Sequence, residues 1–507
     1  MRRSATEQPT DLRRSSRRTR RVGTVLVLAG MVVVAACSRD QGARPPVVTT
    51  QEDPADSTTT TAPAAGRRTA PSTTVDPGQP VELAWVKQVG GLGNDELASV
   101  AGRDAAVVAV GSTDGAVGPT QGGRDTLSVV VASDGTVGRP HQAGSDGTDR
   151  AAGVSASGTS TLACGTSDST RGPRASGTPD GWCAPVAADG TLGEEVGIGG
   201  DADDTLVAVA LVRPSTDGGP GQPTPGEGYA VGATSGVMPR AQDPSGRGLG
   251  DGDSVVAKVD PSGSPLWIRQ FGSFAPDRAN GVTTSEGGDA VVVGVTGGDA
   301  AGRSQGGNDG YVARFDPSGN QRWSAQVGSA ADDELAAVAA AGEARRGTER
   351  FVAGGATGGQ VGEAAAGGTD ALVVALGPEG RRLWTTQFGT AATDRVTAVL
   401  ADGGTVYVAG TSDGPLGTLR PDLGPGGGRD AFLAAVDSTT GKVLWTSRFG
   451  SSVDEDVTGL TTTEDGLLVL SGSTAGQLPG ATTSGGTDGL LVAFKLPGGG
   501  SGAASSV

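Results

Sequence analysis

Histidine is almost absent from the 507-residue sequence: His141 is the only one. A Ser-His-Asp arrangement or a histidine-based metal site would have to pass through that residue. It stands beside Gln142 in what reads as the outer strand of a repeat, an ordinary slot for a polar side chain. Lysine is nearly as scarce, with four against 35 arginines, and the formal net charge is −17. Residues 1–36 hold eight arginines against Glu7 and Asp11, so the rest of the chain carries about −23. Nucleic-acid binding needs a positive footprint, and this balance argues against it. Aromatics make up only 3 %, and Val, Ala and Leu come in short runs, which argues against long helices. The apolar run Val22 to Ala36 has fifteen residues, short of the roughly 20 needed to cross a bilayer as a helix.

What is abundant is glycine, 89 residues, a composition suited to many short strands and tight turns. The N-terminus has its own layout: Arg-rich residues 2–21, the apolar run, then Val34-Ala35-Ala36-Cys37. A basic region, an apolar region and small residues at a cut describe a secretory signal over 1–36. A Cys directly after the small pair resembles the bacterial lipobox. That resemblance implies a diacylglyceryl group on the Cys37 thiol, acyl chains such as palmitate, and a membrane tether on the extracytoplasmic side. Arg20-Arg21 leaves Sec and Tat export both open. Residues 37–81, rich in Thr, Pro, Ala and Asp, show no apolar periodicity and read as a disordered tether. Fully extended, it would reach on the order of 140 Å.

Self-comparison of the remainder yields seven repeats. Trp is followed five residues on by Gly at Trp85 to Gly90, Trp267 to Gly272, Trp323 to Gly328, Trp384 to Gly389 and Trp445 to Gly450. Gly144 and Gly199 mark two copies without the Trp. Five residues past each marker glycine stands an acid: Asp95, Asp149, Asp204, Asp277, Asp333, Asp394 and Glu455. Two alternating apolar stretches follow, the second ending in Gly with Ser or Thr two positions later. A Gly-rich loop then ends in Asp before a third strand, at Asp125, Asp180, Asp253, Asp309, Asp370, Asp430 and Asp488. Turns such as Asp260-Pro261-Ser262-Gly263 lead into a fourth, Trp-bearing strand. Marker spacings of 54, 55, 73, 56, 61 and 61 residues fit four-stranded blades of a propeller. The fold class is therefore all-β, a seven-bladed β-propeller over 82–496 with a flexible tail at 497–507. The region opens with a fourth-type strand and ends after a third, so the first segment is predicted to complete the last blade and close the ring.

Blades reading Trp384-Thr-Thr-Gln387-Phe-Gly389, Val406-Tyr-Val-Ala-Gly410 and Gly428-Arg-Asp430-Ala-Phe432 resemble the bacterial SBBP family of seven-bladed β-propeller repeats. The resemblance covers about 82–496 and implies a surface scaffold, with no established catalytic residues. The second and third repeats depart most from the pattern. Ala435-x-Asp437-x-x-Thr440-Gly441-x-x-x-Trp445 also resembles the repeat of quinoprotein propellers. One strong copy of it reads as shared turn chemistry.

Several constellations could carry chemistry. Gly302 to Gly306 and Gly410 to Gly414 match Gly-x-Ser-x-Gly, but both fall on strand-to-strand loops where no nucleophile elbow forms. Cys164 and Cys183 fall on paired second and third strands of one blade, and in an exported protein a disulfide is expected if the Cα atoms lie about 4.4 to 6.8 Å apart. Two reduced thiols are the alternative. The seven marker-plus-five acids collect at one end of the propeller, where each either caps its own turn or contributes to a ring binding Ca²⁺ or a cationic partner. Their recurrence in every repeat favours capping. Asymmetry points instead to the third repeat, with insertions at Ser215 to Gly228 and Met238 to Gly252, the latter on the acid-bearing end. The expected function is that of a monomeric, non-enzymatic scaffold without cofactor, binding an envelope protein or polysaccharide through that end. A glycan lyase or hydrolase on the same face and a spacer without ligand are the alternatives.

Overall fold

The computed structural model describes residues 81–118, 122–169, 178–213, 224–239, 250, 252–343, 347–362 and 365–496. All of them fall within one compact unit, Pro71–Val507. The expected signal, Cys37, the tail and most of the tether and of both third-repeat insertions lie outside these residues.

The described strands form seven sheets, five of which take four antiparallel strands in chain order from the centre outward. In the first blade these are Asp95–Arg103, Ala106–Thr113, Asp125–Ala132 and His141–Ala143. Second and third strands are buried on both faces, as in Asp370–Leu376, where every residue is buried. Both faces are covered because neighbouring blades stack on either side, which is why these strands read as continuous apolar runs. The core is accordingly a series of wedges between blades. One such wedge joins Val469 and Leu491 of the seventh blade to Leu97, Val107 and Leu127 of the first.

Ring closure is as the strand order predicts. Glu82–Val89 pairs antiparallel with Asp488–Lys495, from Glu82 opposite Lys495 to Val89 opposite Gly489, and supplies the outermost strand of the seventh blade. The sixth blade departs from the four-strand expectation. Its long second-to-third loop adds Thr418–Leu419, which runs parallel to the outer strand Val443–Phe449, and a 3-10 turn at Pro421–Leu423 that buries Leu423.

Two devices join neighbouring blades at several of the junctions. In the first strand of every blade a bulge interrupts the register, as between Leu97 and Ser99 or Ala279 and Gly281, and these segments together line a central cavity of about 250 Å³. Three bulges place a polar side chain there. Asn280, Thr397 and Thr458 donate to Leu335 O (3.0 Å), Val457 O (2.6 Å) and Leu97 O (2.5 Å) of the following blade. At the outer edge the repeat tryptophans act as bolts. Indole N–H groups of Trp85, Trp267, Trp323 and Trp384 donate to Ser133 O, Pro317 O, Pro378 O and Ser438 O in the next blade's turn.

Candidate functional site

The marker glycine, the acid five residues later and the loop-end Asp meet at one end of each blade. At the junction of the third and fourth blades, Ser273 N and Oγ both donate to Asp277 Oδ2, at 2.5 and 3.0 Å. Gln270 of the fourth strand donates through Nε2 to Asp253 Oδ2 at 2.9 Å and to Gly236 O at 2.7 Å, and its Oε1 accepts from Met238 N at 3.0 Å. Gly272 lies between the two carboxylates: a Cβ there would stand 2.5 Å from Asp253 Oδ1 and 2.6 Å from Asp277 Oδ2. Thr296, the hydroxyl residue of the repeat, accepts from Gly298 N at 3.0 Å. The marker glycine, both acids and the hydroxyl residue thus meet in one hydrogen-bonded knot.

The knot recurs. Gly91, Ser145, Gly200, Ser329 and Thr390 donate backbone N–H to Asp95, Asp149, Asp204, Asp333 and Asp394 at 2.8, 2.6, 2.5, 2.5 and 2.5 Å. Ser451 Oγ donates to Glu455 at 2.5 Å. Asp204, Asp277, Asp394 and Glu455 each face a loop-end Asp across a marker glycine. Among the described residues no group of three or more His, Cys, Asp or Glu is arranged to hold a metal ion. Burial pushes the carboxyls of Asp204, Asp277, Asp333 and Glu455 above their ordinary values, and the facing Asp180, Asp253, Asp309 and Asp430 push the same way. Asp488 is raised by burial and by Asp95.

The role of the fourth-strand Gln was not drawn from the sequence, although it stands in the motif of the best copies. Gln88, Gln142, Gln326 and Gln387 repeat the bond of Gln270, to Asp488, Asp125, Asp309 and Asp370 at 3.1, 2.7, 2.8 and 2.8 Å. The signal was its fixed place two residues before the marker. Two blades replace it: Arg448 donates to Asp430 at 2.6 Å, and Gly197 occupies the position in the second blade.

Cys164 and Cys183 are directly opposite each other in the second and third strands of the second blade and form a disulfide, with Cα atoms 4.1 Å apart, just under the expected range. His141 lies in an outer strand, its Nδ1 3.5 Å from Thr191 Oγ1. Its ring borders Gly190 in the second blade's turn. Ser412 of the Gly410 match donates to Asp394 and Ser304 of the other faces Gly306 O at 3.5 Å, so both hydroxyls sit in loop contacts.

Asymmetry lies elsewhere on this end. Phe274 and Val237, on loops flanking the second insertion of the third repeat, are 79 % and 75 % exposed, against a core in which large side chains are buried. Beside them a cleft of about 460 Å³ opens between the third and fourth blades, bordered by Asp203, Thr205, Ser235, Arg278, Asn308 and Glu334.

No protein-family model matches the chain. It is similar to the regulatory protein FlaEY of Caulobacter vibrioides, 26 % identical over 325 residues, which covers 57 % of this chain and 33 % of that protein. The chain thus spans about a third of the length of that relative. Among solved structures it is similar to the phage phi92 endosialidase, at 10 % identity and a TM-score of 0.44, with 84 % of this chain and 70 % of that one covered. Likeness to the quinohemoprotein alcohol dehydrogenase of Comamonas testosteroni has 11 % identity and a TM-score of 0.39, with 84 % and 78 % covered. The seven-bladed architecture rests on the strand pairing itself.

Proposed function

We propose that the chain is a non-enzymatic binding scaffold of the bacterial envelope, a repeat propeller of the SBBP kind, exported and tethered by lipid on Cys37, that takes a protein or glycan partner on its acid-bearing end. One observation carries the reading: on that end the third repeat, the longest of the seven, brings exposed apolar side chains and a cleft together. Phe274, Val237 and the cleft stand together around the third blade. The recurrent carboxylates are engaged in the frame itself. A disulfide between Cys164 and Cys183 suits an oxidising compartment outside the cytoplasm. Among the described residues no helix is long and apolar enough to cross a membrane, which is compatible with a lipid tether. The curated relative is called a regulatory protein, a description that goes with binding more readily than with a reaction.

The test is capture from solubilised envelope by the full chain and by Phe274→Asp. Saturable capture of one protein or glycan, weakened in the variant, is expected; no saturable capture would sink the reading. Separately, Cys37→Ser should move the protein from the membrane to the soluble fraction, and continued membrane retention would refute the lipid tether.

A further inference from the structure

The first strand of each blade carries one side chain directly after its marker-plus-five acid. In chain order these are Glu96, Arg150, Thr205, Arg278, Glu334, Arg395 and Asp456. Two neighbours in this series touch: Arg395 forms an ion pair with Glu334 of the preceding blade. Two other members find partners on adjacent loops: Asp456 lies 3.1 Å from Arg429, and Glu96 lies 3.9 Å from Arg124. The third blade breaks the pattern with the neutral Thr205. Arg278, next to it, has no ion pair among the described residues. Its Nε donates to Asn280 Oδ1 at 2.8 Å, which fixes the guanidinium plane while the terminal nitrogens keep their hydrogens for another acceptor.

Arg278 borders the cleft of about 460 Å³. Asp203, on the same cleft, uses its backbone N–H to bond Ser235 Oγ at 3.1 Å, and its carboxylate has no partner among the described residues. Glu334 is already taken by Arg395. One exposed cation and one exposed anion therefore face a single cleft, unpaired with each other, with Pro276, Val295 and Ala233 as its apolar wall. A simple anion entering it would meet Asp203, and a simple cation would meet Arg278. Only a ligand carrying both charges satisfies both residues.

We propose that this cleft binds a zwitterion, a free amino acid or a short peptide with both ends charged, with its carboxylate on Arg278 and its ammonium on Asp203. Asn308 and Ser235 also line the cleft, where their side chains offer hydrogen-bonding groups to the ligand's amides. The proposal rests on the reading of this end as a binding face and narrows its ligand.

The experiment is calorimetric titration of the full chain with triglycine, N-acetyltriglycine and triglycine amide, which share size and differ in charge. Triglycine is expected to bind roughly tenfold more tightly than either analogue, the usual worth of one charge-assisted hydrogen bond. Arg278→Gln should reduce triglycine to the level of triglycine amide, and Asp203→Asn to that of the N-acetyl compound. Both residues are exposed, and an unchanged circular dichroism melting curve establishes that each variant is folded. Absence of saturable binding, equal affinity for the three probes, or indifference to both substitutions overturns the proposal. Envelope capture that persists without triglycine binding refutes the zwitterion site and leaves the binding face standing; triglycine binding without any captured partner does the reverse.

Discussion

Gln270 donates to Asp253 across 2.9 Å inside the third blade, with both side chains about 1 % exposed. The carboxylate cannot turn to water when that donor is removed. Gln270→Ala should therefore destabilise the propeller by about 1 to 3 kcal/mol, the cost of losing a hydrogen bond to a buried carboxylate. Gln270→Glu should cost more, because it places a third carboxylate beside Asp253 and Asp277. Urea unfolding of the two variants against the parent chain checks the order, and a glutamate variant as stable as the parent would contradict it.

The marker glycine is explained by what flanks it. A methyl group on Gly272 would press on oxygens at 2.5 and 2.6 Å belonging to Asp253 and Asp277. Gly272→Ala should cost about 1 to 3 kcal/mol as overpacking. Gly404 is the contrast, with nothing within 4 Å of its added Cβ and no left-handed φ. Gly404→Ala should be neutral or stabilising by about 0.4 to 1 kcal/mol through the unfolded chain. Equal losses at the two sites would remove steric contact as the reason for the marker.

Stability should respond to pH in a definite sense. Burial and facing acids raise Asp204, Asp277, Asp333 and Asp488 above the ordinary 3.8 and Glu455 above 4.5. Between the ordinary value and the raised one, the folded chain binds more protons than the unfolded chain. Their stabilising contribution is complete below about pH 4 and is lost as pH rises through the raised values. Asp114, held down by bonds from Asn94, and Asp422, held down by Arg420, work oppositely and lose their contribution as pH falls below 3.8. The thermal midpoint should thus rise as pH falls from neutrality toward the ordinary carboxyl values and fall again below about pH 4. A midpoint that climbs steadily from pH 5 to pH 8 would mean the facing carboxylates are not strained.

Much of this was legible in the sequence because folding rules repeat. Gly-to-acid spacings, the hydroxyl after each second strand and Asp before each third gave the blade count, and the orphan strand Glu82–Val89 gave the clasp. What the spacing could not convey is that Asp253 and Asp277 meet across Gly272. They lie 24 residues apart in the chain and belong to different blades, and only the stacking of blades brings them together. The cleft was hidden for a related reason. It depends on a neutral Thr205 beside Arg278, a relation between side chains 73 residues apart that no local pattern marks.

The disulfide stands where the ordinary bolt between blades is missing. The second blade's outer strand is only Val196–Ile198, without Trp and with Gly197 in place of Gln. In four other blades a tryptophan donates to the following turn; Trp384, for instance, lies against Gly441 and donates to Ser438 O at 3.2 Å. At the second junction the turn glycine Gly263 comes down on Cys183 instead: a Cβ there would lie 2.8 Å from Cys183 O and 3.0 Å from its Cβ. The bond to Cys164 thus holds the strand on which the third blade's turn rests. With a sequence separation of 19 between the cysteines, replacing both by Ala should cost about 3 kcal/mol. Trp384→Phe, which removes only the indole donor, should cost about 1 kcal/mol. Hydrogen exchange separates a local staple from a general brace: in the double alanine chain, amides of Asp180–Pro185 and Pro265–Phe271 should exchange faster, while those of Asp370–Leu376 keep their protection. Acceleration spread evenly over all seven blades would show that the bond stabilises the ring as a whole and does not substitute for the lost tryptophan.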